Sequence, residues 1–354
     1  MIYIRADGNT AIGMGHVMRC LAVAQAVAEL DCPPLVFLTA DDKCRDMIEG
    51  RGFCVFSLDT DYRRMLDELP QFERILDKKS DLVFVDSYQA SDEYYLKLGK
   101  LARVACFEDL GEAHPVDLLI NYNIYAPQLE QRYRAAASGQ NQDQYPKNVL
   151  LGTPYVPLRK AFQKPSSYQV RDKVTQILIT TGGSDPYFAA GAIADALLGD
   201  TMMQQQKMHL HVVSGPFNQY ADALRDRYGH AAQITIHEQV KNLRSLLLES
   251  DVVISAAGST IYEVSSLGVP MIVFYYAENQ RQGAEALAAG TEIVNAGCFA
   301  KEGSAVADRI GEAVRRCIDD SAYRERLCQQ ERALVDGSGA HRIAEQIRAL
   351  CRRA

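Results

Sequence analysis

The segment Ile12-Gly-Met-Gly-His-Val-Met-Arg-Cys20 puts an imidazole directly behind two glycines. Bare backbone at Gly13 and Gly15 lets a phosphate approach, and a helix opening at this point offers unpaired N–H groups to an anion. An imidazole is the side chain whose ordinary pKa, ~6.5, suits a general base near neutrality. His16, at the first turn of such a helix, is therefore the candidate base. A plain tight turn with a surface histidine is the simpler alternative. A dinucleotide-binding turn is another, but its G-x-G-x-x-G fingerprint fails because Met18 occupies the third glycine position. The end of the second apolar run, Thr39-Ala40, also lacks an acidic residue for a ribose. Asp7, just past the first run, could accept a hydrogen bond from His16 and set its tautomer, or simply cap its own loop.

Two motifs of the second half suit a diphosphate. In Thr180-Thr-Gly-Gly-Ser-Asp-Pro186, Gly182, Gly183 and Ser184 precede a helix, which suits a phosphate or a hinge. An N-cap at Ser184 or Asp185 with Pro186 at the first helical position explains the same letters. In Ile254-Ser-Ala-Ala-Gly-Ser-Thr-Ile-Tyr-Glu263 a strand ends in small residues. Gly258 leaves room for a phosphate, Ser259 and Thr260 carry hydroxyl donors at a helix N-terminus, and Glu263 is placed to accept both hydroxyls of a ribose. Thr260-x-x-Glu263 also fits a capping box, and spacing does not choose between the two. His209-x-His211 lies on one face of a strand and has no third metal ligand nearby, so both histidines are read as structural. No P-loop, H-E-x-x-H, G-x-S-x-G or zinc-ribbon spacing occurs, and no carboxylate pair stands out. The expected chemistry uses no metal and no cofactor.

These residues need strands that end at them and helices that start from them. Short apolar runs alternate with helical patterns throughout. In the first half the runs are Ile2–Ile4, Leu35–Leu38, Phe53–Leu58, Leu82–Val85, Val104–Phe107 and Leu118–Ile120. Val17–Leu30, Arg45–Arg51 and Tyr62–Lys78 read as amphipathic helices; Val17, Leu21, Ala24 and Ala28 share one face. Ala135 to Pro146 is polar and reads as a surface loop, and proline-bearing Gly152 to Asp172 reads as the interdomain connection. Alternation resumes with Ile177–Thr181, Leu210–Val213, Ile234–Ile236, Val252–Ile254, Met271–Phe274 and Ile293–Val294. Helices are expected over Phe188–Leu198, Leu243–Glu249, Ile261–Leu267 and Gln280–Ala289, and nearly everywhere from Ala305 onward. Continuous apolar strands alternating with helices imply parallel sheets covered on both faces. The expected fold is α/β, with two Rossmann-like domains, 1–155 and 156–354. Facing each other, they would hold a ligand in the cleft at their strand ends.

Bulk properties narrow the partners. The chain has 354 residues, 47% of them hydrophobic, which suits two domains with real cores. A net charge of −7 argues against nucleic acid as main partner. No run approaches the roughly 20 apolar residues of a membrane span, and the N-terminus lacks a signal-peptide pattern. Nine cysteines without a C-x-x-C pair fit reduced thiols, hence a cytoplasmic protein.

The combination is distinctive. Arg5-Ala-Asp7 with Ile12-Gly-x-Gly-His16-x-x-Arg19-Cys20, Val85-Asp-Ser-Tyr88, Asn121-Tyr-Asn123, Tyr155-x-x-Leu-Arg159-x-x-Phe162, Gly182-Gly-Ser-Asp185, Ala257-Gly-Ser-Thr with Glu263, and Asn279-Gln280 resembles the UDP-sugar hydrolases of pseudaminic acid biosynthesis. The match runs in order from Ile2 to Gln280. The chain is longer than compact members around Ala126–Lys147 and at the C-terminus. That family in turn resembles the inverting glycosyltransferases of the GT-B fold, notably the peptidoglycan N-acetylglucosaminyl transferase. The resemblance implies metal-independent hydrolysis of UDP-2,4-diacetamido-2,4,6-trideoxy-β-L-altropyranose at the anomeric carbon, with His16 as catalytic histidine; should His16 be only structural or a phosphate contact, Asp7 and Tyr88 are the alternative bases. It implies substrate contacts at Gly13, Gly15, Arg159, Gly183, Ser184, Gly258, Ser259, Thr260, Glu263, Asn279 and Gln280. The implied partners are the UDP-sugar and neighbouring enzymes of its pathway. A glycosyltransferase on the same fold, and a nucleotide-sugar-binding subunit without turnover, are the rival expectations.

Overall fold

Every apolar run expected as a strand overlaps one. The computed structural model describes residues 1–9, 12–76, 81–137, 146–164 and 166–352. Residues 138–145 of the expected surface loop, 77–78 of the expected third helix and Pro165 of the expected connection lie outside them.

The chain divides into two units, 1–160 with 337–354, and 161–336. In unit 1 the strands are β1 (Ile2–Ala6), β2 (Leu35–Thr39), β3 (Cys54–Ser57), β4 (Leu82–Asp86), β5 (Arg103–Phe107), β6 (Leu118–Asn121) and β7 (Val149–Leu151). They form one parallel sheet in the order β3-β2-β1-β4-β5-β6-β7. β1 and β4 are wholly buried, as strands covered on both faces must be. Phe72, Val83, Val85, Tyr94, Tyr95 and Val104 pack in one core cluster; each such side chain stabilises the fold by ~1.5–3 kcal/mol. Arg5 is fully buried in β1, so its charge has to be paired. Its guanidinium donates to Glu68 Oε2 at 2.8 Å and Oε1 at 2.5 Å, and to Asp7 Oδ2 at 2.6 Å.

In unit 2, β8 (Gln176–Thr180), β9 (His209–Ser214), β10 (Ile234–Glu238), β11 (Val252–Ala256), β12 (Met271–Tyr275) and β13 (Val294–Cys298) form a second parallel sheet in the order β10-β9-β8-β11-β12-β13. Both sheets are thus doubly wound. The first strand lies between the second and the fourth, and the strand order reverses there.

Two expectations need correction. The last helix, Gly339–Arg352, was placed with the second domain but groups with unit 1. Its buried face, Ile343, Ala344, Ile347 and Leu350, includes the apolar stripe expected of a docked helix, and it packs against the helix Gly15–Ala28. His341 Nε2 lies 2.9 Å from Glu29 Oε2, and Arg342 Nη1 donates to the Pro154 carbonyl at 2.9 Å. The division falls at 160/161, inside the expected connection rather than at 155. The helix after β8, Ala189–Leu198, lies within the expected Phe188–Leu198, so the alternative with Pro186 at the first helical position does not hold. Asp185 reaches forward and accepts from the N–H groups of Ala189 at 2.8 Å and Ala190 at 3.0 Å, capping the helix four residues early in sequence. All nine cysteines are free thiols. Among the described residues no helix is long and apolar enough to cross a membrane.

Candidate functional site

In each sheet the strand order reverses between the first and fourth strands, and the candidate residues gather at those strand ends. In unit 1, β1 leads through a loop closed by Asn9 and Gly13, whose N–H and carbonyl groups pair at 2.8 and 3.2 Å. Gly13 has φ +73°, a conformation that favours glycine. The helix α1 (Gly15–Ala28) then starts, and His16 is buried in its first turn. β4, the neighbour of β1, ends at Asp86. His16 Nδ1 lies 2.7 Å from Asp86 Oδ1. A carboxylate only accepts, so Nδ1 carries the proton and Nε2 is left as the basic nitrogen.

Asp86 therefore does what was expected of Asp7. Asp7 is engaged elsewhere: one oxygen takes the Arg5 guanidinium and the other accepts from the Ala40 N–H at 2.7 Å, while His16 Nδ1 lies on Asp86. It belongs to the structural network under β1 and β2.

Arg19, one turn after His16 on the same face of α1, grips Asp86 with two bonds, Nε to Oδ2 at 2.6 Å and Nη2 to Oδ1 at 2.5 Å. Burial alone would raise the Asp86 carboxyl, but Arg19 and His16 outweigh it and hold the group well below the usual carboxylate range. Arg19 Nη1 also donates to Asp109 Oδ2 at 2.7 Å and contacts the Tyr122 hydroxyl at 3.0 Å. Asp109 collects the Tyr88 hydroxyl at 2.9 Å and Asn123 Nδ2 at 2.9 Å. The turn that presents Asp109 hangs on buried Glu108, which accepts from the N–H groups of Leu110 and Gly111 and from the Tyr133 hydroxyl. Tyr88 is half exposed and stands edge-on to His16, with ring centroids 4.7 Å apart. Its surroundings and then Asp109 push the phenol well above its ordinary value. Tyr88 is therefore a hydroxyl donor at neutral pH and not an alternative base.

In unit 2 the equivalent strand ends carry bare backbone. After β8, Gly182 has φ +82° and Gly183 and Ser184 follow. After β11, the helix α2 (Thr260–Leu267) starts behind Gly258 and Ser259. Ser259 is its N-cap and makes no side-chain capping bond. A Cβ at Gly258 would meet nothing within 4 Å, and its φ is not positive. Neither conformation nor packing demands glycine there, and the space over Gly258 is open. Glu263 is buried on the first turn of α2. Asn279 is exposed and Gln280 partly buried at the start of the helix α3 (Glu278–Gly290). Gln280 Oε1 accepts from the Tyr276 N–H at 3.1 Å, so this group is committed to the protein. Arg159 is partly buried on the unit 1 side of the division.

His209 and His211 are held by protein. His211 lies 2.9 Å from His237 and 2.8 Å from Gln176, and His209 lies 2.8 Å from Thr235. Among the described residues no group of three His, Cys, Asp or Glu side chains is arranged to hold a metal ion.

With two doubly wound sheets and a glycine-rich turn at each reversal point, the relatives become informative. Residues 177–347 match the glycosyltransferase family 28 C-terminal domain. That span covers most of unit 2 and runs into the last helix of unit 1. The spore coat polysaccharide biosynthesis protein SpsG of Bacillus subtilis is 26% identical over 96% of this chain and 95% of its own length. The UDP-2,4-diacetamido-2,4,6-trideoxy-β-L-altropyranose hydrolase of Campylobacter jejuni is 24% identical over 81% of this chain and 96% of its own. Protein MJ1062 of Methanocaldococcus jannaschii is 27% identical over 79% of this chain, which spans 57% of that longer protein. Among solved structures, Acinetobacter baumannii MurG has a TM-score of 0.64 at 16% identity, covering 98% of this chain and 99% of its own. Anabaena HepE, solved with UDP and glucose, has a TM-score of 0.61 at 12% identity, covering 98% of each chain. The fold shared with these proteins is GT-B, built from two Rossmann-like α/β sheets.

Motif reading missed Asp86, Arg19 and Asp109 as a connected group, although Arg19 and Asp86 stood inside the quoted motifs. A signal was present. A carboxylate closes the apolar run Leu82–Val85, and in a doubly wound sheet the fourth strand lies beside the first.

Proposed function

We propose that this chain binds a UDP-sugar and hydrolyses it, with UDP-2,4-diacetamido-2,4,6-trideoxy-β-L-altropyranose as substrate, in the pathway to pseudaminic acid. The observation that carries the proposal is the 2.7 Å contact between His16 Nδ1 and Asp86 at the reversal point of the unit 1 sheet. An imidazole with its proton fixed on Nδ1 is a base at Nε2. It takes a proton from water as the water oxygen bonds to the anomeric carbon. The carbon–oxygen bond to the diphosphate breaks and UDP departs with the bonding electrons. UDP leaves as an anion, so no strong general acid is needed. The roles divide between the units. The turns at Gly182–Ser184 and Gly258–Thr260 hold the diphosphate through backbone N–H groups and hydroxyls, Glu263 accepts the ribose hydroxyls, and His16 activates water. The similarity to the Campylobacter hydrolase supports the choice of water and of sugar.

The match to a glycosyltransferase domain favours one rival, in which an acceptor hydroxyl replaces water. A UDP-release assay without acceptor, over a panel of UDP-linked diacetamido-trideoxyhexoses, separates them. Release in plain buffer, with heavy oxygen from labelled water recovered in the sugar, is the expected result. No release until an alcohol acceptor is added would replace the hydrolase by the transferase. Label recovered in UDP would mean attack at phosphorus and would remove the proposed chemistry.

A further inference from the structure

The Thr181–Ser184 turn is held by two sets of contacts. One comes from the start of the segment after β9. A Cβ at Gly215 would lie 2.1 Å from the Gly182 carbonyl oxygen, and Phe217 N–H donates to the Gly183 carbonyl at 2.9 Å. The carbonyls of Gly182 and Gly183 therefore both turn toward that segment. In a planar trans peptide the following N–H points the opposite way. The N–H groups of Gly183 and Ser184 are thus both directed away from Gly215 and Phe217, and neither has a protein acceptor among the described residues. Successive backbone N–H groups turned to one side make an anion-binding concavity.

The turn is also held by Tyr276, just past β12. Its hydroxyl lies 3.0 Å from the Thr181 carbonyl and 3.3 Å from the Ser184 carbonyl, the two ends of the turn. One proton serves both, with Thr181 the nearer. Tyr276 is itself fixed, because its N–H donates to Gln280 Oε1 at 3.1 Å, and the Tyr187 ring lies 6.2 Å from its ring. A strand-to-helix turn needs no such bridge to exist. A bridge that ties its two outer carbonyls together sets the tilt of the peptides between them.

We propose that Tyr276 is the positioning residue of a diphosphate-binding turn: its hydroxyl, with Gln280 behind it, holds the Gly183 and Ser184 N–H groups in the orientation that meets a phosphate. This rests on the nucleotide reading given above. Tyr276 touches no ligand; it acts through the turn.

The test compares UDP with uridine by calorimetry on wild type, Tyr276→Phe and Gln280→Ala. Tyr276→Phe removes only the hydroxyl. UDP affinity is expected to fall about tenfold and uridine affinity to stay put, as for the loss of one hydrogen bond acting on the phosphate end. Gln280→Ala should shift UDP in the same direction by about threefold, and it decides the matter should Tyr276→Phe lose its fold. Unchanged UDP affinity in both variants overturns the proposal. Equal weakening of UDP and uridine overturns it as well, since Tyr276 would then be supporting the unit at large. Wild type that binds uridine as tightly as UDP removes the diphosphate turn, and wild type that binds neither removes the nucleotide reading itself.

Discussion

The two sheets run in the same strand order, and each places a turn from its first strand beside the end of its fourth. What occupies that place differs completely. In unit 1 it is side chains: His16, Asp86, Arg19 and Asp109, joined by bonds of 2.5–2.7 Å and mostly shut away from solvent. In unit 2 it is backbone: Gly182, Gly183 and Gly258, with hydroxyls at Ser184, Ser259 and Thr260. A network of buried charges is rigid and fixes one tautomer, which suits proton transfer. Bare N–H groups at a helix start accept any anion of the right size, which suits holding a diphosphate. On the proposed reading one topology carries a proton-transfer site in one unit and an anion site in the other, and each half of that contrast can be broken separately.

The largest effect belongs to unit 1. His16→Asn keeps a polar group and removes the base, so turnover should fall by ~10²–10⁴ while UDP affinity holds. Asp86→Asn should cost on the order of 10² in turnover, because the amide no longer forces the proton onto Nδ1. Steady-state kinetics beside UDP calorimetry reads both. A fully active asparagine at position 16 would return His16 to a structural part and leave unit 1 without a base.

Unit 2 is broken next, and on binding alone. Glu263→Ala should weaken UDP by roughly ten- to a hundredfold, since an unpaired ribose diol costs ~1–3 kcal/mol. Unchanged affinity in a folded variant would return Glu263 to a structural role on the first turn of α2. A smaller effect is expected from Gly258→Ala. The new methyl has open space, so stability should stay within about 0.5 kcal/mol, while UDP binding drops about tenfold because the methyl stands where the phosphate approaches. A variant that loses stability and keeps UDP would show that Gly258 serves the fold.

How much of this the chain declares in advance depends on the length of the signal. The strands were legible because a sheet covered on both faces needs continuous apolar runs, and β1, β4, β8 and β11 are each built around one. β7 escaped because it has three residues, Val149–Leu151, too few for any period. The helix Asp92–Leu98 escaped for a related reason: it is seven residues long, and its N-cap bond, donated by the Tyr94 N–H to the Ser91 hydroxyl, is a local signal without a long stripe behind it. His16 was legible because glycines and a helix start surround it in sequence. Its partner was not, because Asp86 lies seventy residues away and only strand order brings it near. Asp7 was the wrong partner for the same reason: nearness in sequence said nothing of Arg5 and Ala40, which claim its oxygens. The last helix was assigned to the wrong unit because an apolar stripe shows that a helix docks and not where.

The smallest effect sharpens the contrast through pH. Burial first, then neighbouring His209 and His237, pushes His211 in unit 2 from the ordinary ~6.5 down to about 4. Gln176, Thr235 and Glu249 are the other polar groups around this cluster. A histidine with a lowered folded value binds its proton more readily when unfolded. Its stabilising share is complete above pH ~6.5 and is lost as pH falls from there toward about 4. Asp86 in unit 1 has the opposite sign. Its carboxyl is held well below the usual range, so its share is complete above the ordinary carboxylate value of ~3.9 and is lost only below it. Between pH 6.5 and 4 the two groups act differently on their own units, with unit 2 loosening while the Asp86 network holds. Because His211 is only about half buried, solvent screening keeps the effect modest. Hydrogen exchange followed across that range should show protection falling in β9 and β10 before β1 and β4. His211→Gln, which cannot take up the proton, should flatten the fall in unit 2. Protection lost first around Asp86, or a glutamine variant with an unchanged pH profile, would show that acid acts on the two units in some other way.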